Sequence, residues 1–389
     1  MVTPDLGDPV SGRLNALGRL GDIVGSSHVL SDADAMAGYL TDWTGRWTGS
    51  AVAVVRPRTT EEVSAVVGLC TDEGIAICPQ GGNTGLVGGS IPPADASTPA
   101  IVLSTTRMTD IDEIDTVGRS VGVQAGVTLA ALDARASSVG LRFGVDLASR
   151  ESATLGGMVA TNAGGTRMIR HGNTRSQLLG IEAVRADGQV LRRWRSLVKD
   201  NVGYDIPGLL AGSEGTLAVI TRVLVRLVPT TGATVVFIAA IDDVSVALAL
   251  IDAVSDAGLT TEAAEIMTQA GVDLVHEHGV RRPCRLPRSS MSSWRSRVRT
   301  TRKTLCCKCS TVSRASSTRS WNRVLRAICG SYVRVIPNPL RGRRRRRWSS
   351  STSRFRCGNC RWPSMSSLPS LMTIVGQSFS GTWATGTST

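Results

Sequence analysis

Glycine limits how this chain can fold more than any other residue. Between residues 81 and 215 it gathers in three clusters, 81–89, 156–165 and 212–215, and each separates segments of β type. Glycine visits positive φ without penalty and lets other groups approach the main chain closely. The clusters therefore mark either tight turns at the rim of a sheet or backbone loops built around a ligand.

The segments between them alternate in type. Residues 11–45 read as helical, with Leu14, Leu17 and Leu20 at helical spacing and a further short helix over 32–40. Ala51 to Val55 is an apolar β run. Thr60, followed by Glu61 and Glu62, predicts an N-cap with an acidic first turn. Val63, Val66, Val67 and Leu69 then share one helical face. Ile75 to Cys78 and Ile101 to Leu103 read as buried strands, and Ser120 to Gln124 as a third. Thr128 predicts the cap of a helix over Leu129 to Ala136, stopped at Gly140. The Asp187-Gly188 pair predicts a hairpin joining a strand over 178–185 to a return strand over 190–193. Val219 to Val228 is a β-branched run ended by Pro229. A second α/β unit starts near Gly232, with a strand over 233–240, a helix over 242–254 and helical character over 261–276.

The first cluster, Gln80 to Ser90, lacks both the dinucleotide GxGxxG and the Lys-Ser/Thr ending of a P-loop. What remains is a run of small residues with exposed N–H groups, which can form a nest for a pyrophosphate. On this reading Gly82 and Gly85 are positions of close backbone approach or positive φ.

Charge breaks sharply at residue 280. Residues 1–280 hold 20 of the 44 Lys and Arg and all 31 Asp and Glu, a formal net charge of −11. Residues 281–389 hold 24 basic residues and no acid, with seven of the nine cysteines. The overall +13 thus describes neither part. No apolar run is long enough for a transmembrane helix. The start of the chain lacks the pattern of a signal peptide. Cys70 and Cys78 are too few for a disulfide framework. These features predict a cytoplasmic protein.

Four motifs in order over about 47–229 carry a resemblance. Pro79-Gln80-Gly81-Gly82-Asn83-Thr84-Gly85-Leu86-Val87-Gly88-Gly89 resembles the first flavin-binding segment of the vanillyl-alcohol oxidase-type flavoproteins. Thr154 to Gly165 is similar to the second. His171 to Arg175 with Leu179 to Gly188 is similar to the strand-turn that follows. Lys199 to Asp205 and Gly212 to Thr221 are similar to the closing segment. Within those flavoproteins the likeness is greatest to the branch that holds D-lactate dehydrogenase, D-2-hydroxyglutarate dehydrogenase and the flavoprotein component of glycolate oxidase.

The resemblance implies an α+β fold: a two-subdomain FAD-binding domain of the p-cresol methylhydroxylase (PCMH) type, then a truncated α/β cap and a low-complexity basic tail. The expected divisions are 1–46 (helical), 47–230 (FAD-binding), 231–280 (partial cap) and 281–389 (a disordered or out-of-frame tail). It implies non-covalent FAD, since the first loop holds no His or Cys. Pro79, Gly81, Gly82, Asn83, Thr84, Gly85, Leu86 and Ser90 would border the pyrophosphate, with side-chain contacts from Asn83 and Thr84. Thr154, Gly156, Gly157, Asn162, Ala163, Gly164 and Gly172 would line the ring and ribityl chain. Gly215 and Ile220 would pack near the adenine or ribityl end. Lys199, Asn201 and Tyr204 would lie on the substrate side. No metal ligands are assigned.

The implied reaction is oxidation of a small D-2-hydroxy acid (lactate, glycolate or 2-hydroxyglutarate) by hydride transfer to flavin N5, with a separate electron acceptor. A sugar or alcohol oxidase and a non-catalytic flavin binder are the alternatives. The resemblance places the base in a Gly-His-Gly-Asp-Gly-Asn-type segment of the cap, which this chain lacks, so no catalytic residue is assigned. Glu262 to Met267 resembles cap helix, and the likeness ends after Val280. The acid-free remainder has the composition of a coding region translated out of frame, with the break near 275–285. Nucleic-acid binding through Arg343 to Arg347, or zinc at Cys306, Cys309, Cys357 and Cys360, lacks the surrounding pattern either function needs. Ser331 to Ile336 is a short stretch able to pair.

Overall fold

The computed structural model describes residues 9–280 (except 96, 198, 231, 233, 242 and 243), 335–337 and 370–377. The chain divides into two units, residues 1–230 and 231–389.

The first unit is built on two sheets. One has the order β1 (Val29–Leu30), β2 (Ala53–Val55), β4 (Ala100–Ser104), β3 (Ala76–Gln80), with β2, β4 and β3 parallel. Its central strands are apolar without alternation because both faces are covered. Ala53, Val55, Ile101 and Leu103 pack with α1 (Pro9–Val24) and α3 (Thr60–Asp72). Val54 and Val102 pack on the other side with Met36 of α2 (Ala33–Leu40). The cap of α3 is one residue earlier than the sequence predicts. Thr59, in extended conformation, accepts from Glu62 N, while Thr60 is already helical. The reason is tertiary, since Thr60 Oγ1 is drawn 2.8 Å from buried Glu182 of the other sheet.

The second sheet is antiparallel, in the order β5 (Ser120–Gln124), β9 (Val219–Pro229), β7 (Leu178–Val184), β8 (Val190–Arg193), with β6 (Leu141–Phe143) also on β9. Helix α4 (Leu129–Ser137) is capped by Thr128 as predicted. The strands expected at 120–124 and 190–193 and the intervening hairpin form as read. Phe143, Leu129, Leu132, Leu155 and Ile181 are fully buried in this core. Burial of such side chains contributes about 1.5–3 kcal/mol each. Val184 and Val219 belong instead to the core of the parallel sheet. Ser64 Oγ donates to Gly188 O at 2.6 Å and Thr71 Oγ1 to Ala186 O at 2.6 Å, so α3 seals one sheet to the other. Four further short helices cross the loops: α5 (Leu155–Ala160), α6 (Met168–His171), α7 (Thr174–Gln177) and α8 (Ile206–Leu210).

The second unit holds β10 (Thr234–Ile241), α9 (Val244–Asp256), β11 (Thr260–Thr268), α10 (Gln269–Glu277), β12 (Val335–Pro337) and β13 (Ser370–Gln377). Its antiparallel sheet runs β11-β13-β10-β12. The helical expectation for 261–268, including Glu262 to Met267, is corrected: this segment is β11. Alanine, glutamate and methionine are good helix formers, but pairing along β13 overrides that local preference. Two of the four strands come from the acid-free segment beyond 280, and β12 overlaps the stretch read as able to pair. Arg343 to Arg347 and the cysteines beyond 280 lie outside the described residues.

Candidate functional site

Strand β3 delivers the chain into the first glycine cluster at its carboxyl end, where open α/β sheets place ligands. Gln80, 2% exposed, ends the strand. Its Nε2 donates to Tyr39 O at 2.8 Å and to Ser90 O at 2.9 Å, pinning the loop at its base. From Gly82 to Val87 no backbone N–H donates to a protein acceptor among the described residues. Six successive donors are therefore left for solvent or a ligand. Within the loop the left-handed conformations belong to Asn83 (φ +49°) and Gly88 (φ +73°), not to Gly82 or Gly85. Gly82 is required for another reason, because a Cβ there would lie 1.8 Å from Ser152 O. At Gly85 a Cβ meets nothing within 4 Å. The Asn83 amide is turned to protein: Nδ2 donates to Thr41 O at 2.9 Å, and Oδ1 accepts from Ser90 Oγ at 2.9 Å.

The second cluster forms the facing wall. Thr154 caps α5, accepting from Gly157 N at 3.3 Å, and α5 carries Gly156 and Gly157. Gly156 N donates to Ala125 O at 2.9 Å, and a Cβ on Gly156 would lie 2.5 Å from the Ala125 Cβ. A Cβ on Gly81 would lie 2.3 Å from Thr154 Oγ1, so the two loops touch. The third cluster closes the end, with Glu214 (φ +51°) and Gly215 (φ +78°), the latter against the Pro79 ring.

These loops enclose a cleft of about 470 Å³. It is lined by Pro79, Gly81, Gly82, Asn83, Thr84, Gly85, Leu86 and Ser90, by Thr154, Gly156, Gly157 and Ala163, and by Gly215 and Ile220. Asn162, Gly164 and Gly172 do not line it. Asn162 Oδ1 instead accepts from Arg175 N at 3.0 Å. Lys199, Asn201 and Tyr204 are exposed and outside the lining, Tyr204 at 88%. Gln80, Thr105, Leu147, Ser149, Met158, Thr161, Glu214 and Ala218 also line the cleft and were not singled out from sequence. Glu214 was within reach, being next to Gly215 in a quoted motif. Leu147 and Ser149 carry no local signal.

The electrostatics are unusual for an anion site. Among the described residues Glu214 is the one ionisable side chain in the lining, and no Lys, Arg, His or Cys belongs to it. An anion here would depend on main-chain dipoles, which successive N–H groups supply. The donor run and the close-packed glycines fit a diphosphate held by backbone, with Gly156, Gly157 and Ala163 among the small residues of the wall beside it. Cys78 of β3 stays outside, with burial pushing its thiol up to about 11; burial pushes the Cys70 thiol up to about 12. Neither is a reactive thiolate near neutral pH. Among the described residues no cluster of three or more His, Cys, Asp or Glu is placed to hold a metal, and no helix is long and apolar enough to cross a membrane.

Comparison with known proteins agrees with this geometry. Residues 51–193 match the family model described as FAD binding domain. The chain is 37% identical over 265 residues to the mitochondrial D-2-hydroxyglutarate dehydrogenase of Arabidopsis thaliana, covering 67% of this chain and 47% of the relative. Alkyldihydroxyacetonephosphate synthase has a similar structure, with TM-score 0.59 at 19% identity, covering 71% of this chain and 50% of that one. Substrate-bound p-cresol methylhydroxylase gives TM-score 0.53 at 20% identity, covering 64% and 49%. The chain spans about half the length of the relatives it matches. Over residues 51–193 the chain thus matches the FAD binding domain model within a PCMH-type fold, and it is similar to the D-2-hydroxyglutarate dehydrogenases over about half of their length.

Proposed function

We propose that the chain binds FAD non-covalently in this cleft and derives from an FAD-dependent oxidoreductase of small D-2-hydroxy acids, of the lactate, glycolate or 2-hydroxyglutarate type. The observation that carries this reading is the run of uncommitted N–H groups from Gly82 to Val87, in residues that all line the cleft. When bound, FAD supplies the acceptor for the electrons of the substrate C–H bond. The residues of the first loop hold the diphosphate. Gly156, Gly157 and Ala163 offer a wall that a flat ring can approach. Gly215 and Ile220 close the far end. Lys199, Asn201 and Tyr204 are assigned to the substrate side, where their exposure leaves them open to a ligand from solvent.

Removing the hydroxyl proton needs a base, and a carboxylate substrate needs cations. General-base catalysis contributes about 10²–10⁴-fold. The lining offers one carboxylate, Glu214, and no cation among the described residues. That favours a second reading in which the chain retains flavin and turns over poorly, as a flavin binder. An out-of-frame origin of 281–389 belongs to the same proposal, supported by its lack of acids. A cytoplasmic setting is supported by the free thiols of Cys70 and Cys78. The electron acceptor is a separate partner.

The test is to purify residues 1–389 with FAD and follow anaerobic flavin bleaching with D-lactate, glycolate and D-2-hydroxyglutarate. The expected result is retained flavin with slow or no bleaching. Bleaching within seconds at millimolar acid would establish the full enzyme in place of the impaired one. A protein that never retains flavin would remove the proposal.

A further inference from the structure

Several contacts reach the first glycine loop from one place. Gln80 reaches Tyr39 O, and Asn83 reaches Thr41 O at 2.9 Å and Gly38 O at 3.3 Å. The Trp47 ring lies over Gly88, where a Cβ would come within 2.8 Å of it. The base, the middle and the far arm of the loop are thus all tied to residues 38–47. That segment is itself organised by Asp42, 4% exposed. Asp42 Oδ1 accepts from the N–H groups of Arg46 at 2.9 Å and Trp47 at 3.0 Å, and Oδ2 from Thr44 N at 3.2 Å. Asp42 N donates to Trp47 O at 3.0 Å, and Gly49 N to Leu40 O at 2.8 Å, closing the turn. All of this precedes residue 51, where the match to the FAD binding domain begins.

We infer that residues 38–47 are a clasp that completes the anion cradle from outside the FAD binding domain, with Gln80, Asn83 and Asp42 as its positioning residues. The inference rests on reading the cleft as a diphosphate site. Backbone N–H groups hold an anion together only when several point into the cleft at once. A loop with five glycines between 81 and 89 has little of its own to enforce that. Fixing each free residue on binding costs conformational entropy. The clasp meets that cost in the folded protein beforehand, the general advantage of preorganisation. The Gln80 and Asn83 amides are spent on protein groups, so they act on a ligand through the loop.

The test is calorimetric titration of FAD, ADP and riboflavin into the full chain and into Gln80→Ala, Asn83→Gly and Asp42→Ala, with circular-dichroism melts of each. Asn83→Gly keeps the left-handed backbone open and removes just the amide. Each variant is expected to lose about 10- to 100-fold in affinity for both FAD and ADP. Riboflavin, which has no diphosphate, should bind unchanged. Asp42→Asn, which keeps one acceptor oxygen for Arg46 and Trp47, should recover most of the loss. FAD affinity equal to wild type in folded Asn83→Gly and Asp42→Ala would overturn the clasp and leave the cofactor reading standing. Equal losses for riboflavin would overturn it too, as general destabilisation. Wild-type protein that binds neither FAD nor ADP would overturn both readings. If Gln80→Ala fails to fold, the other two variants decide.

Discussion

The two glycine-rich walls of the cleft have similar composition and opposite physics. In the loop after β3, the N–H groups from Gly82 to Val87 have no protein acceptor among the described residues. In the wall around α5 they are spent: Gly156 N on Ala125 O, Met158 N on Thr154 O, Thr161 N on Gly157 O and Ala163 N on Met158 O. The first wall is an array of donors. The second is a packing surface, where glycine serves to bring a helix against Ala125. Glycine content alone therefore does not say whether a loop binds or packs. The destination of its N–H groups does.

Substitutions can separate the two roles. The largest effect is expected for Gly82→Val and Gly156→Val, whose side chains would collide with Ser152 O and Ala125. Overpacking of this kind costs ~1–3 kcal/mol, and backbone clashes belong at the upper end. Urea unfolding should shift clearly in both, and flavin should be lost with the fold. An unshifted midpoint in either would mean that the wall in question gives way easily.

Gly85→Val sharpens the comparison, since its side chain enters open space at ordinary φ. Stability should stay within about 0.5 kcal/mol, as for a surface change. FAD affinity should nevertheless fall tenfold or more, because Gly85 lines the cleft. Unchanged affinity would detach Gly85 from the donor array.

Acidification probes the support of the first wall. At Asp42, burial raises the pKa, but hydrogen bonds from the Thr44 hydroxyl and the N–H groups of Trp47, Thr44 and Arg46 outweigh it and hold the group below its ordinary 3.8. A depressed folded pKa stabilises fully above the unfolded value and is lost as pH falls through the folded one. Flavin release should therefore show an acid limb below about pH 4 that Asp42→Asn flattens. The same limb in Asp42→Asn would assign it to another carboxylate.

The smallest effect is expected for Tyr204→Phe. At 88% exposure the hydroxyl lies outside the lining, so flavin retention and melting should not change. A changed rate of flavin reduction with retention intact would place Tyr204 beside the substrate. Loss of flavin would tie it to the cofactor instead.

Features set by neighbours in the chain were legible in the residues. Thr128 caps α4 and Asp187-Gly188 turns a hairpin because each needs partners a few positions away. The glycine clusters were likewise visible, and most of the residues assigned from them line one cleft. Distant partners decided the rest. Thr261 to Thr268, part of the stretch read as helical, became a strand by pairing with Ser370–Gln377. Thr60 lost its place as a cap to a contact with Glu182, 122 positions away. Gln80 and Asn83 looked like part of a loop, yet their amides act across 41 and 42 positions on the carbonyls of residues 39 and 41. By itself the sequence determined where the backbone is free to bend and which residues can leave N–H groups exposed, because those are properties of residue type. Which N–H groups remain free, and what holds them in place, was decided by the tertiary structure, because a hydrogen bond goes to whichever acceptor folding brings within reach.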